Sequence, residues 1–176
     1  PVELPKVGSC LGRFQIKQLL GIGGVGAVYL ATDTTLEEDV AIKAIHISLA
    51  DEAIFKRLKR EVLLARRVTH PGICRIFDLH VEDDIPFITM EYIDGPTLED
   101  YLQRGQVLPP SQALRIILSL CQALSAAHQQ GVIHRDLKPS NLIVRPNQQV
   151  TILDFGFSIT VDVTRVTKKG NAVGTI

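Results

Sequence analysis

The sequence has 176 residues, which suits one domain or two small lobes that share an interface. Hydrophobic residues make up 45% and charged residues 22%, so the chain can bury a core, and intrinsic disorder is excluded. Lysine plus arginine equals aspartate plus glutamate at 19 each, a balance that gives no support for binding to nucleic acid or to a membrane surface.

The first 90 residues predict short strands and one helix. Phe14 to Leu20 alternates apolar and polar side chains, as a half-buried strand does. A glycine-rich turn is expected at 21–26, and apolar residues at helical spacing, from Ile54 to Ala65, predict a helix over 54–68 that ends at His70-Pro71-Gly72. Further strands are predicted at 27–32, 40–47, 73–80 and 86–92.

A turn at Asp94-Gly95-Pro96 marks the predicted boundary between two lobes, 1–93 and 94–176. Beyond it, Thr97 followed by Asp100 resembles a helix cap. A long amphipathic helix is expected from Ser111 to about Gln130, with Gly131 ending it. Short strands are expected at 142–144 and 150–153.

The three cysteines are odd in number, far apart and in apolar contexts, which argues against a disulfide framework or a metal site. Cys10, Cys74 and Cys121 are therefore expected to be small core residues. The sequence contains no run of about 18 apolar residues, the length that would predict a membrane span. The N-terminus lacks a signal-peptide pattern. We expect a cytoplasmic protein, or the cytosolic part of a membrane-anchored parent.

The segment Gly21-Ile22-Gly23-Gly24-Val25-Gly26 fits the pattern G-x-G-x-x-G. This pattern alone is a weak signal, because glycine clusters are common in turns. A dinucleotide-binding motif would need a helix after it, whereas 27–32 is rich in strand formers, so we place the glycines at a hairpin tip. Residues without Cβ atoms let backbone amides approach phosphate oxygens closely.

Lys43 ends the apolar run Val40-Ala41-Ile42-Lys43. A lysine in such a strand is costly to bury without an anionic partner, unless it lies at an edge where its amine reaches water. Glu61, near the middle of the predicted helix, is the candidate partner. Together with the glycine segment, this run resembles the signature motifs of protein kinases.

The strongest signal is the run 134–141, His-Arg-Asp-Leu-Lys-Pro-Ser-Asn, followed by Asp154-Phe155-Gly156. These segments resemble the catalytic loop and the metal-binding motif of protein kinases, in the order that the family has. By this resemblance, Lys138 marks serine/threonine rather than tyrosine kinases, and the run 66–76 is similar to eukaryotic-type kinases of bacteria. Arg135 beside Asp136 resembles kinases that are switched by phosphorylation.

Phosphoryl transfer needs positioning and charge neutralisation more than covalent chemistry. A carboxylate at Asp136 can accept the proton of the attacking hydroxyl, and Asn141 and Asp154 offer the oxygen ligands that Mg²⁺ prefers. By resemblance, Lys138 contacts the transferred phosphate. The resemblance implies a catalytic set of Asp136, Lys138, Lys43 and Glu61, in which Lys43 holds the phosphates of ATP and Glu61 orients Lys43.

The adenine pocket is mapped by the same resemblance. Met90 stands at the gatekeeper position, and backbone groups of Glu91 and Ile93 are expected to form hydrogen bonds with adenine. Val28 and Ala41 would cover the base, and Ile143 would lie beneath it. Each of these apolar residues is equally compatible with simple core packing.

The resemblance covers about 14–175 and has departures. Val25 stands where many kinases have an aromatic residue, and Ala65 where a bulkier residue links the helix to the core. Gly174-Thr175 resembles the segment before the A-P-E motif, so we expect part of a longer kinase that stops in its activation segment. The candidate phosphorylation sites are Thr160, Thr164 and Thr167.

We therefore expect an α+β, protein-kinase-like fold, with a five-stranded antiparallel sheet and one helix in the N-lobe and a partial, mostly helical C-lobe. The expected function is transfer of the γ-phosphate of ATP, with Mg²⁺, to serine or threonine hydroxyls of protein substrates. No nucleic-acid partner and no membrane contact of this segment are expected. One alternative is a nucleotide-binding regulatory or scaffold module without turnover. Another, a small-molecule phosphotransferase, is disfavoured by Lys138-Pro139 and the complete glycine segment.

Overall fold

The computed structural model describes residues 4–24, 26–47, 49, 52–105 and 107–154. Within these ranges the helices are α1 (Glu52–Ala65), α2 (Leu98–Gln103) and α3 (Pro110–Gln129), and a 3₁₀ turn covers Pro139–Asn141. The strands are β1 (Cys10–Leu11), β2 (Phe14–Gly23), β3 (Gly26–Asp33), β4 (Glu38–Ile45), β5 (Ile76–Glu82), β6 (Ile85–Glu91), β7 (Leu142–Val144) and β8 (Val150–Ile152).

Six strands form one antiparallel sheet in the order β1-β2-β3-β4-β6-β5. Five of them are the predicted strands, and the two-residue β1 is an addition at the edge, beside β2. The glycine segment is less of a loop than predicted, because β2 and β3 extend into it and pair Gly21 with Val28 and Gly23 with Gly26. The resulting hairpin places Gly21 on the wall of the candidate site and the later glycines further along the hairpin.

The sheet has a packed core on each face. One core includes Phe14, Ile42 and Phe87, and the rings of Phe14 and Phe87 meet edge to face at 5.8 Å. The other core joins the sheet to α1 through Leu58 and Val62, which are 0% and 2% exposed. This second core also contains residues that line the candidate site, so the packing of α1 bears directly on that site.

Helix α1 ends at Ala65, three residues before the predicted end. The backbone N–H groups of Arg67 and Val68 bond to carbonyls only three residues back, those of Leu64 and Ala65. This tighter pattern is typical of the last turn of a helix and explains the early end. Ala65 is 5% exposed and lies in the core between α1 and the sheet.

The second half of the chain begins with a capped helix, as predicted. Thr97 accepts a hydrogen bond from the backbone N–H of Asp100, and the carboxylate of Asp100 accepts one from the N–H of Thr97. Helix α3 starts at Pro110, where proline fits because the first helical N–H needs no partner within the helix. Gly131 follows α3 with a φ of 72°, the left-handed conformation that glycine adopts easily.

The segment that follows α1 contacts the β7–β8 hairpin. The N–H of Cys74 donates to the carbonyl of Ile152, and the N–H of Ile152 donates to the carbonyl of Gly72. Val68 and Ile73 also share a core cluster with residues of α3 and of the hairpin. The division into lobes at 93/94 stays a prediction, since this segment packs with the later half of the chain.

Two cysteine predictions were wrong. Cys74 is buried, but Cys10 and Cys121 are exposed, because Cys10 lies on the edge strand β1 and Cys121 lies on the outward side of α3. All three thiols are free. In the described part of the chain, no helix combines the length and the hydropathy that crossing a bilayer requires.

Candidate active site

A cleft of about 320 Å³ lies between the sheet and the second half of the chain. Its walls come from β2, β3 and β4, from the segment at the end of β6, and from the residues around β7. The predicted nucleotide and metal residues found on these walls are Gly21, Val28, Ala41, Met90, Glu91, Ile93, Asn141, Ile143 and Asp154. Residues from distant parts of the sequence therefore meet in one cleft of a size that small ligands occupy.

The other described glycine-segment residues, Ile22, Gly23, Gly24 and Gly26, lie further along the hairpin and outside the cleft wall. The side chain of Ile22 is 74% exposed. Val25 lies outside the described residues. The segment from Phe155 onward, including Gly156 and the three candidate phosphorylation sites, also lies outside them.

Gly26 is required by packing. Its φ is 150°, and a Cβ atom built there would lie 1.9 Å from the carbonyl oxygen of Ala44. That oxygen belongs to the backbone of β4, which pairs with β3 next to Gly26. A side chain at position 26 would force these two strands apart.

Lys43 lies on β4 and pairs with Asp154, Nζ to Oδ1, at 2.8 Å. The side chain of Lys43 is 9% exposed and that of Asp154 is 29% exposed. A buried ammonium group requires an anionic partner. The structure supplies that partner from the metal-binding motif, so the side chains of two predicted site residues meet directly.

Glu61 is paired differently from the prediction that it orients Lys43. Its Oε1 accepts a hydrogen bond from Nε of Arg57 at 3.2 Å and lies 4.0 Å from a terminal nitrogen of Arg135. Arg57 lies one helical turn before Glu61, and such i,i+4 pairs form readily on a helix. The Glu61–Lys43 contact is thus replaced in this structure by Glu61–Arg57 and Lys43–Asp154.

The catalytic-loop residues form a compact hydrogen-bonded group. Nζ of Lys138 lies 2.8 Å from Oδ2 of Asp136, and Nδ2 of Asn141 donates to the backbone carbonyl of Asp136 at 2.8 Å. The second contact fixes the amide of Asn141, so its Oδ1 remains an acceptor that can bind a cation. The hydrogen bond from Lys138 lowers the pKa of Asp136, and the same contact raises the pKa of Lys138. Asp136 is therefore an ionised carboxylate at neutral pH.

His134 connects this loop to the metal-binding motif, a role that the sequence motif did not reveal. Its ring is 3% exposed, Nδ1 accepts from the N–H of Asp136 at 3.3 Å, and Nε2 lies 2.7 Å from the carbonyl of Leu153. Both contacts are satisfied when the proton is on Nε2. The ring thereby fixes the distance between Asp136 and the residue that precedes Asp154.

Two site residues have unusual backbone conformations. Arg135 has a φ of 66° and Asp154 a φ of 58°, in the left-handed region that side chains disfavour. Residues held in this region cost about 1–3 kcal/mol each and are frequent at functional sites. Arg135 and Asp154 are therefore held against a local backbone preference.

Several residues of the cleft wall were missed by sequence reasoning: Leu20, Cys74, Tyr92, Asp94, Gly95, Thr97, Ser140 and Leu153. Most are chain neighbours of predicted residues, and that adjacency was the available signal. Cys74 had no such signal. Burial raises the pKa of the Cys74 thiol to about 12, with smaller contributions from the charges of Glu91 and Asp154. The thiol therefore stays protonated at neutral pH and lines the cleft without acting as a nucleophile.

The donor set of the cleft suits a hard cation bound together with phosphates. In the described ranges, no three histidine, cysteine, aspartate or glutamate side chains form a metal-binding group. Mg²⁺ is usually held by one or two carboxylates plus substrate phosphates, at about 2.0–2.1 Å. Asp154 and the Oδ1 atom of Asn141 fit that pattern, because both lie on the wall of the same cleft.

Comparisons with known proteins agree with this geometry. The family model described as protein kinase domain matches residues 14–176. Serine/threonine-protein kinase PknB of Mycobacterium leprae (strain TN) is 38% identical over 169 residues, which cover 93% of this chain and 27% of that protein. Serine/threonine-protein kinase PrkC of Bacillus subtilis (strain 168) is 37% identical over 166 residues, which cover 94% and 26%. The chain thus spans about a quarter of the length of these relatives.

A solved structure shares the same architecture. The crystal structure of the Mycobacterium tuberculosis PknI kinase domain superposes with a TM-score of 0.75 at 29% sequence identity. The match covers 88% of this chain and 62% of that one.

Proposed function

This chain belongs to the protein kinase family, with the predicted α+β fold, and we propose that it transfers the γ-phosphate of ATP to serine or threonine hydroxyls of proteins. The observation that carries the proposal is that Asn141 and Asp154 lie on one cleft, where Asp154 pairs with Lys43 and Asn141 is hydrogen-bonded to Asp136. Phosphoryl transfer needs this combination of cation, metal ligands and carboxylate around one triphosphate.

In this proposal Asp136 is the base that takes the proton of the acceptor hydroxyl. Lys138 lies 2.8 Å from Asp136 and supplies positive charge to the phosphoryl group in transit. Asn141 and Asp154 hold Mg²⁺, which would neutralise charge on the phosphates when bound. Lys43, whose ammonium group has three N–H donors, then holds the phosphates.

The apolar walls of the cleft are proposed to bind adenine. Ala41, Met90 and Ile143 are 7%, 4% and 6% exposed, so they offer a dry surface for a flat base. Backbone groups of Glu91 and Ile93, both on the wall, would provide the hydrogen bonds. Met90 would close the inner end of the cleft as gatekeeper.

The site is proposed to work in the cytosol, in a free protein or in the cytosolic part of an anchored one. ATP is available there, and the three free thiols are compatible with a reducing compartment.

A phosphotransfer assay tests the function. The longest natural form of the protein is incubated with labelled ATP, Mg²⁺ and a generic protein acceptor, and the phosphoamino acids are then separated. We expect label on phosphoserine or phosphothreonine. Label on phosphotyrosine alone, or nucleotide binding without any transfer, would favour a different kinase class or the regulatory module instead.

Replacing Lys138 with methionine is expected to raise the pKa of Asp136. The hydrogen bond and the charge of Lys138 stabilise the ionised carboxylate, so their loss favours the protonated form. Because the ionised form is the base, the acidic limb of the profile of kcat/KM against pH should move to higher pH. An NMR titration of the Asp136 carboxyl carbon checks the same shift without relying on activity.

Lys138→Arg is the matched control, since it keeps a positive donor near the carboxylate. The acidic limb of its profile of kcat/KM against pH should remain close to that of the unaltered protein. If Lys138→Met left the Asp136 titration where it was, the assigned cause of the lowered pKa would be wrong.

A further inference from the structure

A second cleft, of about 370 Å³, lies outside the candidate active site. It is formed by the segment that follows α1, by Arg75 and Glu91, and by the residues that join β7 to β8. Glu91 lines both clefts. We name it the arginine cleft, after Arg75 and Arg145 on its walls.

The arginine cleft has an apolar base and polar walls. Val68 and Ile73, both 5% exposed, provide apolar surface. The charged residues of the lining are two arginines and one carboxylate, Glu91, so the lining is positive in balance. Its volume is comparable to that of the candidate active site and within the range that small ligands occupy.

Arg145 is held in place but retains donor capacity. Its Nε donates to Oγ1 of Thr151 at 2.8 Å, and Thr151 is 0% exposed, which anchors the guanidinium group. Its terminal nitrogen lies 3.7 Å from Oε1 of Glu91, longer than a hydrogen bond. The terminal N–H groups of Arg145 can therefore take a better acceptor.

Two further donors line the same cleft. Nδ1 of His70 accepts from the N–H of Gly72 at 3.0 Å, so in the neutral ring Nε2 carries the proton. Oε1 of Gln149 accepts from Asn147, which leaves the side-chain NH₂ of Gln149 as a donor. Neither of these N–H groups donates to another of the described residues, so both can donate to a bound anion.

We propose that the arginine cleft binds a small organic oxyanion, a phosphate or carboxylate group carried on an apolar or aromatic body. Guanidinium groups bind these anions in a planar, two-point geometry. The anion would meet Arg145 and Arg75, with the N–H groups of His70 and Gln149 as further donors, and the body would cover Ile73. The proposed phosphotransfer uses only one residue of this cleft, Glu91, and only through its backbone.

An NMR titration of the ¹⁵N-labelled protein with phenyl phosphate tests the proposal. We expect saturable shifts of the backbone signals of 70–75 and 145–149 and of the Nε–H signal of Arg145. Phenol, which has the same ring without the charge, should give no saturable shift. Arg145→Gln should weaken the binding of phenyl phosphate by about 10-fold or more, since a charged hydrogen-bond donor is lost.

Arg75→Gln is the second variant, for use if Arg145→Gln proves unstable. Because Arg75 is exposed, we expect this substitution to leave folding intact. It should weaken binding several-fold, whereas Arg115→Gln, an exposed arginine on α3, should leave it unchanged. The proposal is overturned by an absence of saturable shifts, by shifts confined to Gly21–Gly23 and Asn141, or by unchanged affinity in Arg75→Gln.

Discussion

Replacing Asp136 with asparagine is expected to lower the rate of phosphoryl transfer about 10²–10⁴-fold and to change nucleotide affinity less than about twofold. The substitution removes the basic carboxylate but keeps the size of the side chain. The side chain of Asp136 is 63% exposed and lies outside the wall of the nucleotide cleft, so nucleotide contacts should survive. Steady-state kinetics and titration with a fluorescent nucleotide measure the two effects separately.

Asp83→Asn is the matched control. Asp83 lies in the turn between β5 and β6 with a φ of 49°, a conformation that asparagine also tolerates, and its side chain is exposed. This variant should keep full activity. Equal rates of phosphoryl transfer by Asp136→Asn and by the unaltered protein would show that Asp136 is not the base.

Replacing Gly26 with alanine is expected to destabilise the protein by about 2–6 kcal/mol, from backbone strain and overpacking together. The new Cβ would overlap the backbone oxygen of Ala44, at 1.9 Å, which no side-chain rotation can relieve. The pairing of β3 with β4 would open beside Lys43, so nucleotide affinity should fall as well. Chemical denaturation followed by circular dichroism gives the change in the free energy of unfolding.

Gly23→Ala separates this effect from a general need for glycine in the hairpin. Gly23 pairs with Gly26 across the β2–β3 turn, but a Cβ atom at Gly23 would meet no atom within 4 Å. Its stability should change by less than about 1 kcal/mol. Equal destabilisation by the two substitutions would contradict the packing argument.

Features set by short-range sequence patterns were predictable. The alternation in β2, the apolar spacing in α1 and the cap formed by Thr97 and Asp100 each depend on residues within a few positions. The site residues were found because their short motifs resemble those of a known family. Their meeting at one cleft followed only from the resemblance to a known family.

Features set by distant contacts were not predictable. Cys74 joins the cleft wall because its N–H bonds to Ile152, in a strand much later in the chain. Cys121 lies in an apolar stretch of sequence, yet its side chain is exposed. Which side of α3 faces the core is set by its packing against β8, a strand later in the chain. The partner of Glu61 likewise depends on the competition between Arg57 and Lys43, which spacing alone does not resolve.

Lys43 and Asp154 neutralise each other at 2.8 Å, and Asp154 lies on the wall of the cleft. If Asp154 turned toward a divalent cation, the nearly buried ammonium group of Lys43 would lose the charge of this carboxylate, which is unfavourable. Glu61 holds Arg57 through Oε1, and its Oε2 has no hydrogen-bond partner in the described part of the chain. The triphosphate supplies the missing negative charge at once, so cation and nucleotide should bind with positive cooperativity, each raising the affinity for the other by the same factor.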